Sequence, residues 1–334
     1  MNPTEKVAIG RTKLHVTRLG FGSVPLGGLY QDISEEQADQ TVRRVLDLGI
    51  TYFDTAPIYG FGKAETRLGR TLSKLDRDSF AVATKIGYTL VPDDGGRDEK
   101  VFHRFANVPP VRPIVDYSYD GLMRTFDGSL ERLQLSRVDI LNLHDPDYTW
   151  QEALDVGYPL AHKLRSDGVV SAIGVGMNQA EMLARFAREC DFDCLLVAGR
   201  YTLIDHTGLR ELLPICAQKH ISVIIGGPFN SGILATGARA GATYNYLDAS
   251  PAILERVAAI EQVCARHHVA LKAAALQFPL AHPAVAAIIP GARSAAEVEE
   301  NFNLLKAPIP DDFWAELRHH NLLPPEAPVP HAGR

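Results

Sequence analysis

The sequence predicts an α/β protein, a (β/α)8 TIM barrel, on three observations. Eight short apolar runs recur along the chain, helix-start signals fill the gaps between them, and the gaps are too long for hairpins. Strands joined by crossovers of that length lie parallel. The runs are Leu19–Ser23, Thr51–Asp54, Phe80–Lys85, Val138–His144, Val170–Val175, Cys194–Gly199, Ile221–Gly226 and Val285–Pro290.

Ahead of them, Lys6–Ile9 and Leu14–Arg18 flank the polar turn Gly10–Lys13 and read as a β-hairpin. Ser34 and Gln37 form a capping box before a helix that Gly49 closes. Asn178 with Glu181 opens another, and Ser250-Pro251 a third. Two connections exceed a simple turn, Ile86 to Tyr117 and Asn230 to Ala249. Each follows a strand, which places these long loops on the C-terminal face, where barrels build active sites. The Asp-Asp-Gly-Gly core of Asp93–Lys100 instead suits a disordered insertion. Residues 1–323 are expected to form the barrel domain. The tail 324–334, with four prolines, is expected to fray.

The 334 residues fit two ordinary domains or one large barrel. With 46% hydrophobic and 22% charged residues, the chain can bury a sizeable core. Its net charge of -6 offers no basic footprint, so nucleic acid is not an expected partner. Cys190, Cys194, Cys216 and Cys264 form no Cys-x-x-Cys pair and read as reduced buried thiols. No run has signal-peptide or membrane-span length, so a cytoplasmic protein without membrane contact is expected. Nothing in the sequence indicates its oligomeric state.

Three consecutive strands end on ionisable residues: Asp54, Lys85 and His144. A charge at the end of an apolar strand needs a partner, so Asp54 and Lys85 on neighbouring strands are expected to pair. The turn Pro57-Ile58-Tyr59-Gly60 can bring a phenol to the same mouth. An adjacent ammonium and imidazole would move the Tyr59 pKa down from about 10, making it a general acid/base. His144-Asp145-Pro146-Asp147 also invites a metal reading. Pro146 breaks any helix that could present these groups together, and no second His is near, so no metal is expected. Asp145 and Asp147 are assigned to the rim or to a helix cap.

The stretch ITYFDTAPIYGFG, residues 50–62, resembles the aldo-keto reductase signature, and the resemblance spans nearly the whole chain. It implies a catalytic tetrad of Asp54, Tyr59, Lys85 and His144. It also implies an extended NAD or NADP cofactor without the Rossmann fingerprint, and no Gly-x-Gly-x-x-Gly is present. Gly226-Gly227-Pro228-Phe229-Asn230-Ser231-Gly232 resembles the family's pyrophosphate loop. Pro290-Gly291-Ala292-Arg293, with Glu297, Glu300 and Asn301, resembles its adenosine loop and helix. Gly22 and Ser23 at the first strand end complete the expected cofactor contacts, with Asn178 for the carboxamide.

The family's stacking Tyr is replaced by Gly226 and its Gln by Ala198, which leaves Tyr201 or Phe229 to cover the nicotinamide. Gly291 and Glu297 stand where relatives carry cations for a 2′-phosphate. That favours NAD over NADP, although Arg293 could still meet a phosphate. The stretches at 116–121, 198–203 and 227–232 resemble the aldose 1-dehydrogenase branch, with pyridoxal dehydrogenation close by. The implied reaction oxidises C1 of an aldose such as L-fucose, L-galactose or D-arabinose to the lactone, or acts on another small sugar or aldehyde. Two rivals remain open at this level: a Schiff-base aldolase using Lys85, and an NAD(P)-binding redox sensor.

Overall fold

Alternation along each strand sorts the chain into two cores. The computed structural model describes residues 1–95 and 104–331. A short antiparallel pair, β1 (Lys6–Ala8) and β2 (His15–Thr17), precedes β3 (Phe21–Gly22), β4 (Tyr52–Asp54) and β5 (Ala81–Ile86). An antiparallel hairpin follows, β6 (Tyr88–Pro92) with β7 (Val111–Val115). The main sheet resumes with β8 (Ile140–His144), β9 (Ala172–Met177), β10 (Cys194–Ala198) and β11 (Ser222–Gly226). After a two-residue pair, β12 (Thr243–Tyr244) and β13 (Leu247–Asp248), the sheet ends at β14 (Val285–Ile289).

The eight long-range strands pair in parallel in chain order, β3-β4-β5-β8-β9-β10-β11-β14. Parallel bridges Leu19–Ile288 and Gly22–Gly291 draw the two edges together, so the sheet is an almost closed barrel. This is the (β/α)8 fold. Gly22 is needed at the seam, because a Cβ there would sit 2.6 Å from the Ile289 carbonyl oxygen.

Outward residues such as Phe53, Val82, Leu141, Ile173, Val175 and Val197 pack under the helices. Inward residues Tyr52, Ala81, Ala83, Ile140, Ala172, Cys194 and Ile224 fill the lumen, and Ile9 and Val16 of the hairpin region join them. The hairpin is pinned by the Gly10 amide, which donates to Ser222 Oγ at 2.8 Å. Burying each Val, Leu, Ile or Phe side chain of these two cores contributes roughly 1.5–3 kcal/mol before chain entropy is charged against it. The inward row of β9 is Ala172, Gly174 and Gly176 for a steric reason. Cβ atoms on the two glycines would meet the Asn142 side chain and the Lys85 methylenes, so the small residues clear space for polar groups in the upper lumen.

Helix starts agree with the sequence where a hydroxyl stands at the cap. Ser34 Oγ accepts from the Gln37 amide at 3.1 Å, and Ser294 Oγ from the Glu297 amide at 3.2 Å. Asn178 is different. β9 runs on to Met177, the next helix starts at Ala180, and the residue before it, Gln179, makes no side-chain cap. The connection after β5 is partly structured by β6 and β7. The expected insertion there falls in part, from residue 96, outside the described residues.

The tail also departs from expectation up to residue 329. Ala327 and Val329 are buried, and the Arg318 guanidinium donates to the Ala327 carbonyl at 2.6 Å. Prolines leave few backbone donors to satisfy, so a proline-rich segment can be held with few backbone hydrogen bonds, here the Ala327 amide donating to the Pro324 carbonyl at 3.1 Å. No helix among the described residues is long and apolar enough to cross a membrane.

Candidate active site

Strand ends converge at the C-terminal mouth. Lys85 Nζ donates to Asp54 Oδ1 at 2.7 Å and to the Thr55 carbonyl at 2.7 Å. Both charged side chains are almost wholly buried, at 1% and 2% exposure, so each depends on the other. The same Nζ lies 4.7 Å from the centroid of the Tyr59 ring. His144 meets that ring edge-to-face at 5.8 Å, and meets the Tyr88 ring edge-to-face at 5.4 Å. The Tyr117 hydroxyl donates to the His144 carbonyl at 3.0 Å and fixes the end of β8. The geometry therefore brings all four expected groups into one cluster.

Tyr59 reaches the mouth because two glycines meet back to back. A Cβ on Gly27 would lie 2.7 Å from the Gly60 nitrogen, and Gly60, at φ +64°, would drive its own Cβ into the Gly27 carbonyl. Gly27→Ala is expected to cost at least about 2 kcal/mol by overpacking, and Gly60→Ala more, because a left-handed backbone adds its own penalty. Denaturant unfolding of the two variants measures both, and wild-type midpoints would show that the Tyr59 turn yields freely.

The electrostatics overturn one expectation. Burial, followed by the nearby Asp54 and Asp145 carboxylates and the Tyr246 phenol, holds the Tyr59 phenol well above its ordinary value, not below it. The Lys85 charge is spent on Asp54 and Thr55 and sits over the ring face, with no hydrogen bond to the hydroxyl. Tyr59 is thus a proton donor at neutral pH. Burial, then Lys85, pushes His144 well below its usual range, so its imidazole stays neutral and can pass a proton. Burial also raises Asp54 against the opposing pull of Lys85.

Unpartnered buried atoms ring the mouth: Ser23 Oγ, Asp54 Oδ2, Thr55 Oγ1, both amide atoms of Asn142 and His144 Nδ1. So many orphaned polar atoms in one place mark a site that a polar ligand completes. Beside it, Asn178, Gly227, Asn230 and Ser231 line one cleft with Arg200, Asn245 and Tyr246. Gly227 and Gly232 have positive φ, and a Cβ would meet nothing closer than 3.8 Å at the first and nothing within 4 Å at the second, a cradle fit for a phosphate-bearing ligand. Arg200, absent from the sequence assignment, supplies a cation there, held by Asn245 Oδ1 at 2.7 Å and Asp205 Oδ2 at 3.3 Å. Its signal was a lone arginine two residues beyond the end of β10.

Other expected contacts fall elsewhere. Tyr201 is fully buried, its ring packed on Phe278 and His282 among the helices, so it cannot cover a nicotinamide. Phe229 is only half-buried and remains available. Pro290 and Asn301 line a narrow crevice with Leu19, Ile50 and Val298. Glu297 accepts from the Arg293 backbone at 2.8 Å and from its guanidinium at 2.8 Å, and Glu300 takes Lys272 at 2.8 Å. Glu297 and Glu300, the two carboxylates among the expected adenosine contacts, are therefore already paired. Asp145 and Asp147 cap no helix, because the helix after β8 begins beyond Thr149. Asp147 instead accepts from Gln179 at 3.2 Å.

The profile of the Aldo/keto reductase family matches residues 18–322. The chain belongs to this family. Pyridoxal 4-dehydrogenase of Microbacterium luteolum is 36% identical over 97% of this chain and 99% of its own length. D-threo-aldose 1-dehydrogenase of a Pseudomonas species is also 36% identical, with 97% and 99% covered. Among solved structures, the holo form of aldo-keto reductase AKR11C1 from Bacillus halodurans superposes with a TM-score of 0.75. It is 24% identical and covers 98% of each chain, a likeness of fold. As an aldo/keto reductase the protein is an oxidoreductase of the kind that uses a nicotinamide cofactor and a small-molecule substrate.

Proposed function

We propose that this aldo/keto reductase is an aldose 1-dehydrogenase that prefers NAD to NADP. The observation that carries the reading is the single cluster of Tyr59, Lys85, Asp54 and His144 at the mouth of the barrel. Its substrate would be a cyclic aldose such as L-fucose, L-galactose or D-arabinose. The bound nicotinamide would supply the hydride acceptor. In the oxidative direction the ionised form of Tyr59, which burial and the neighbouring carboxylates keep scarce near neutral pH, would take the C1 hydroxyl proton as the C1 hydrogen passes as hydride to the nicotinamide, and the carbon–oxygen double bond so formed makes the product the lactone. His144 orients the hydroxyl, and Lys85, anchored by Asp54, favours the phenolate when the proton is off Tyr59.

Ser23, Asn178, Gly227, Pro228, Asn230, Ser231 and Gly232 would hold the cofactor with Arg200, and Phe229 would lie against its ring. NAD is favoured because Arg293 and Lys272 are each bound by a carboxylate, which leaves a 2′-phosphate to compete for them. Lys85 would break two hydrogen bonds to attack a carbonyl, which weighs against the aldolase reading. Pyridoxal oxidation is a second reading, favoured by the equal identity to the two dehydrogenases. L-fucose, L-galactose, D-arabinose and pyridoxal, each with NAD and NADP, followed at the absorbance band of the reduced nicotinamide, form the test. Turnover of an aldose with NAD is expected. Turnover of pyridoxal alone transfers the assignment to the second reading, and no turnover of any substrate overturns both.

A further inference from the structure

One carboxylate at the mouth has no role in the tetrad. Asp145 directly follows His144, and its backbone turns into the left-handed region at φ +43° as its amide donates to the Gly176 carbonyl at 3.0 Å. The chain leaves the strand abruptly there, and Pro146 prevents its continuing. The side chain stays beside the tetrad as a result, with Asp145 Oδ2 3.7 Å from His144 Nε2. Aspartate tolerates this backbone better than most residues, though still at a cost.

Asp147 and Lys85 are the charged groups that act on it among the described residues, and Lys85 is the cation of the two. Asp145 lies close enough to the phenols of Tyr59, Tyr88, Tyr117 and Tyr246 to act on all four. Yet no side chain among the described residues donates a hydrogen bond to it. Three other aspartates of the chain have donors: Asp139 in Arg77 and the Val82 amide, Asp193 in Arg165 and the Ile173 amide, Asp147 in Gln179. At the same time 36% of the Asp145 side chain is accessible, so it is open to a molecule in the mouth. A half-sheltered carboxylate without donors, among aromatic rings, is a receptor for hydroxyl groups on a compact polar molecule.

We propose that Asp145 is the specificity-determining residue of this site, its carboxylate accepting a hydrogen bond from a substrate hydroxyl beside the reacting carbon. The assignment rests on the proposed function, which puts the reacting oxygen at Tyr59 and His144. With 3.7 Å between Nε2 and Oδ2, one group can read the reacting oxygen while the other reads its neighbour. Two substrate types carry the required donor: an aldose through its C2 hydroxyl, and pyridoxal through its ring hydroxyl. Burial and Asp147, opposed by Lys85, push the Asp145 carboxyl up to about 7, so its charged form is disfavoured and a hydroxyl donor would stabilise it.

The test crosses enzyme variants with substrate pairs. Asp145→Asn keeps the shape and the left-handed backbone without the charge, and Asp145→Gly removes the side chain at a position where glycine is unstrained. Each is assayed on the best aldose of the screen and its 2-deoxy counterpart, and on pyridoxal and 3-deoxypyridoxal. The readout is the ratio of kcat/KM for the hydroxylated over the deoxy member. For a hydrogen bond to a charged acceptor this ratio is expected to fall about 10- to 100-fold in Asp145→Gly, with Asp145→Asn between it and wild type. A general structural defect lowers both members of a pair together and leaves the ratio alone.

A fall in the sugar pair assigns the donor to the C2 hydroxyl, and a fall in the pyridoxal pair to the ring hydroxyl. Ratios equal to wild type in both pairs and both variants overturn the role of Asp145 while the proposed function stands. A wild-type enzyme inert on all four compounds removes the proposed function and this inference with it.

Discussion

Tyr59→Phe is expected to lower kcat/KM for substrate oxidation by about 10²- to 10⁴-fold, the range for loss of a positioned general acid/base. The replacement keeps the ring that Lys85 covers at 4.7 Å and His144 abuts at 5.8 Å, so the packing of the mouth survives. Cofactor affinity, measured by quenching of protein fluorescence, is expected to stay near wild type. The Tyr117 hydroxyl is committed to the His144 carbonyl and is no substitute donor. Because burial and the Asp54 and Asp145 carboxylates hold Tyr59 in its phenol form, wild-type oxidation should accelerate as pH rises, while reduction, which uses the phenol, should be favoured at lower pH. The Phe variant should lose that dependence. Near wild-type turnover in the variant would remove Tyr59 from the chemistry.

What the sequence made legible follows from the range of the forces involved. A short apolar run between helix signals is a local feature, so β4, β5, β8 and β9 could be placed within about two residues at each end, and with them Asp54, Lys85 and His144. The Asp54–Lys85 pair was foreseeable because neither charge could be buried alone. The sign of the Tyr59 shift was not. It depends on where Nζ stands relative to the ring and on Asp145, whose side chain reaches the site only through a left-handed turn. Tyr201 was misplaced for a related reason. Residues just past a strand end can turn into the mouth or out among the helices, and the buried contacts with Phe278 and His282 lie far away in sequence. The order in the tail likewise comes from Arg318 and the pocket that takes Ala327, neither marked by the local composition.

Lys85→Met should damage both activity and stability, and the two losses can be separated. Without Nζ, Asp54 is left with neither oxygen paired in a wholly buried setting, since its Oδ2 already lacks a partner. Breaking a buried pair from one side costs about 3–5 kcal/mol. Asp54 is already raised above its ordinary value by burial, and Lys85 is the group that pulls it back. Removing Lys85 raises it further, so the native variant binds a proton that the unfolded chain has released. For a carboxyl raised in the folded state, stability falls as pH climbs from the ordinary value near about 4 up to the folded value. The deficit of Lys85→Met relative to wild type should therefore be largest at neutral pH and narrow as the pH is lowered toward 5. The double variant Asp54→Leu/Lys85→Met removes the stranded carboxylate and should regain most of the lost stability at neutral pH while remaining inactive, because no ammonium faces Tyr59. Denaturant unfolding of the three proteins at several pH values, run beside the activity assay, decides the matter. An equal deficit at every pH, or a double variant as unstable as the single, would mean that Lys85 holds the barrel by packing and not through Asp54.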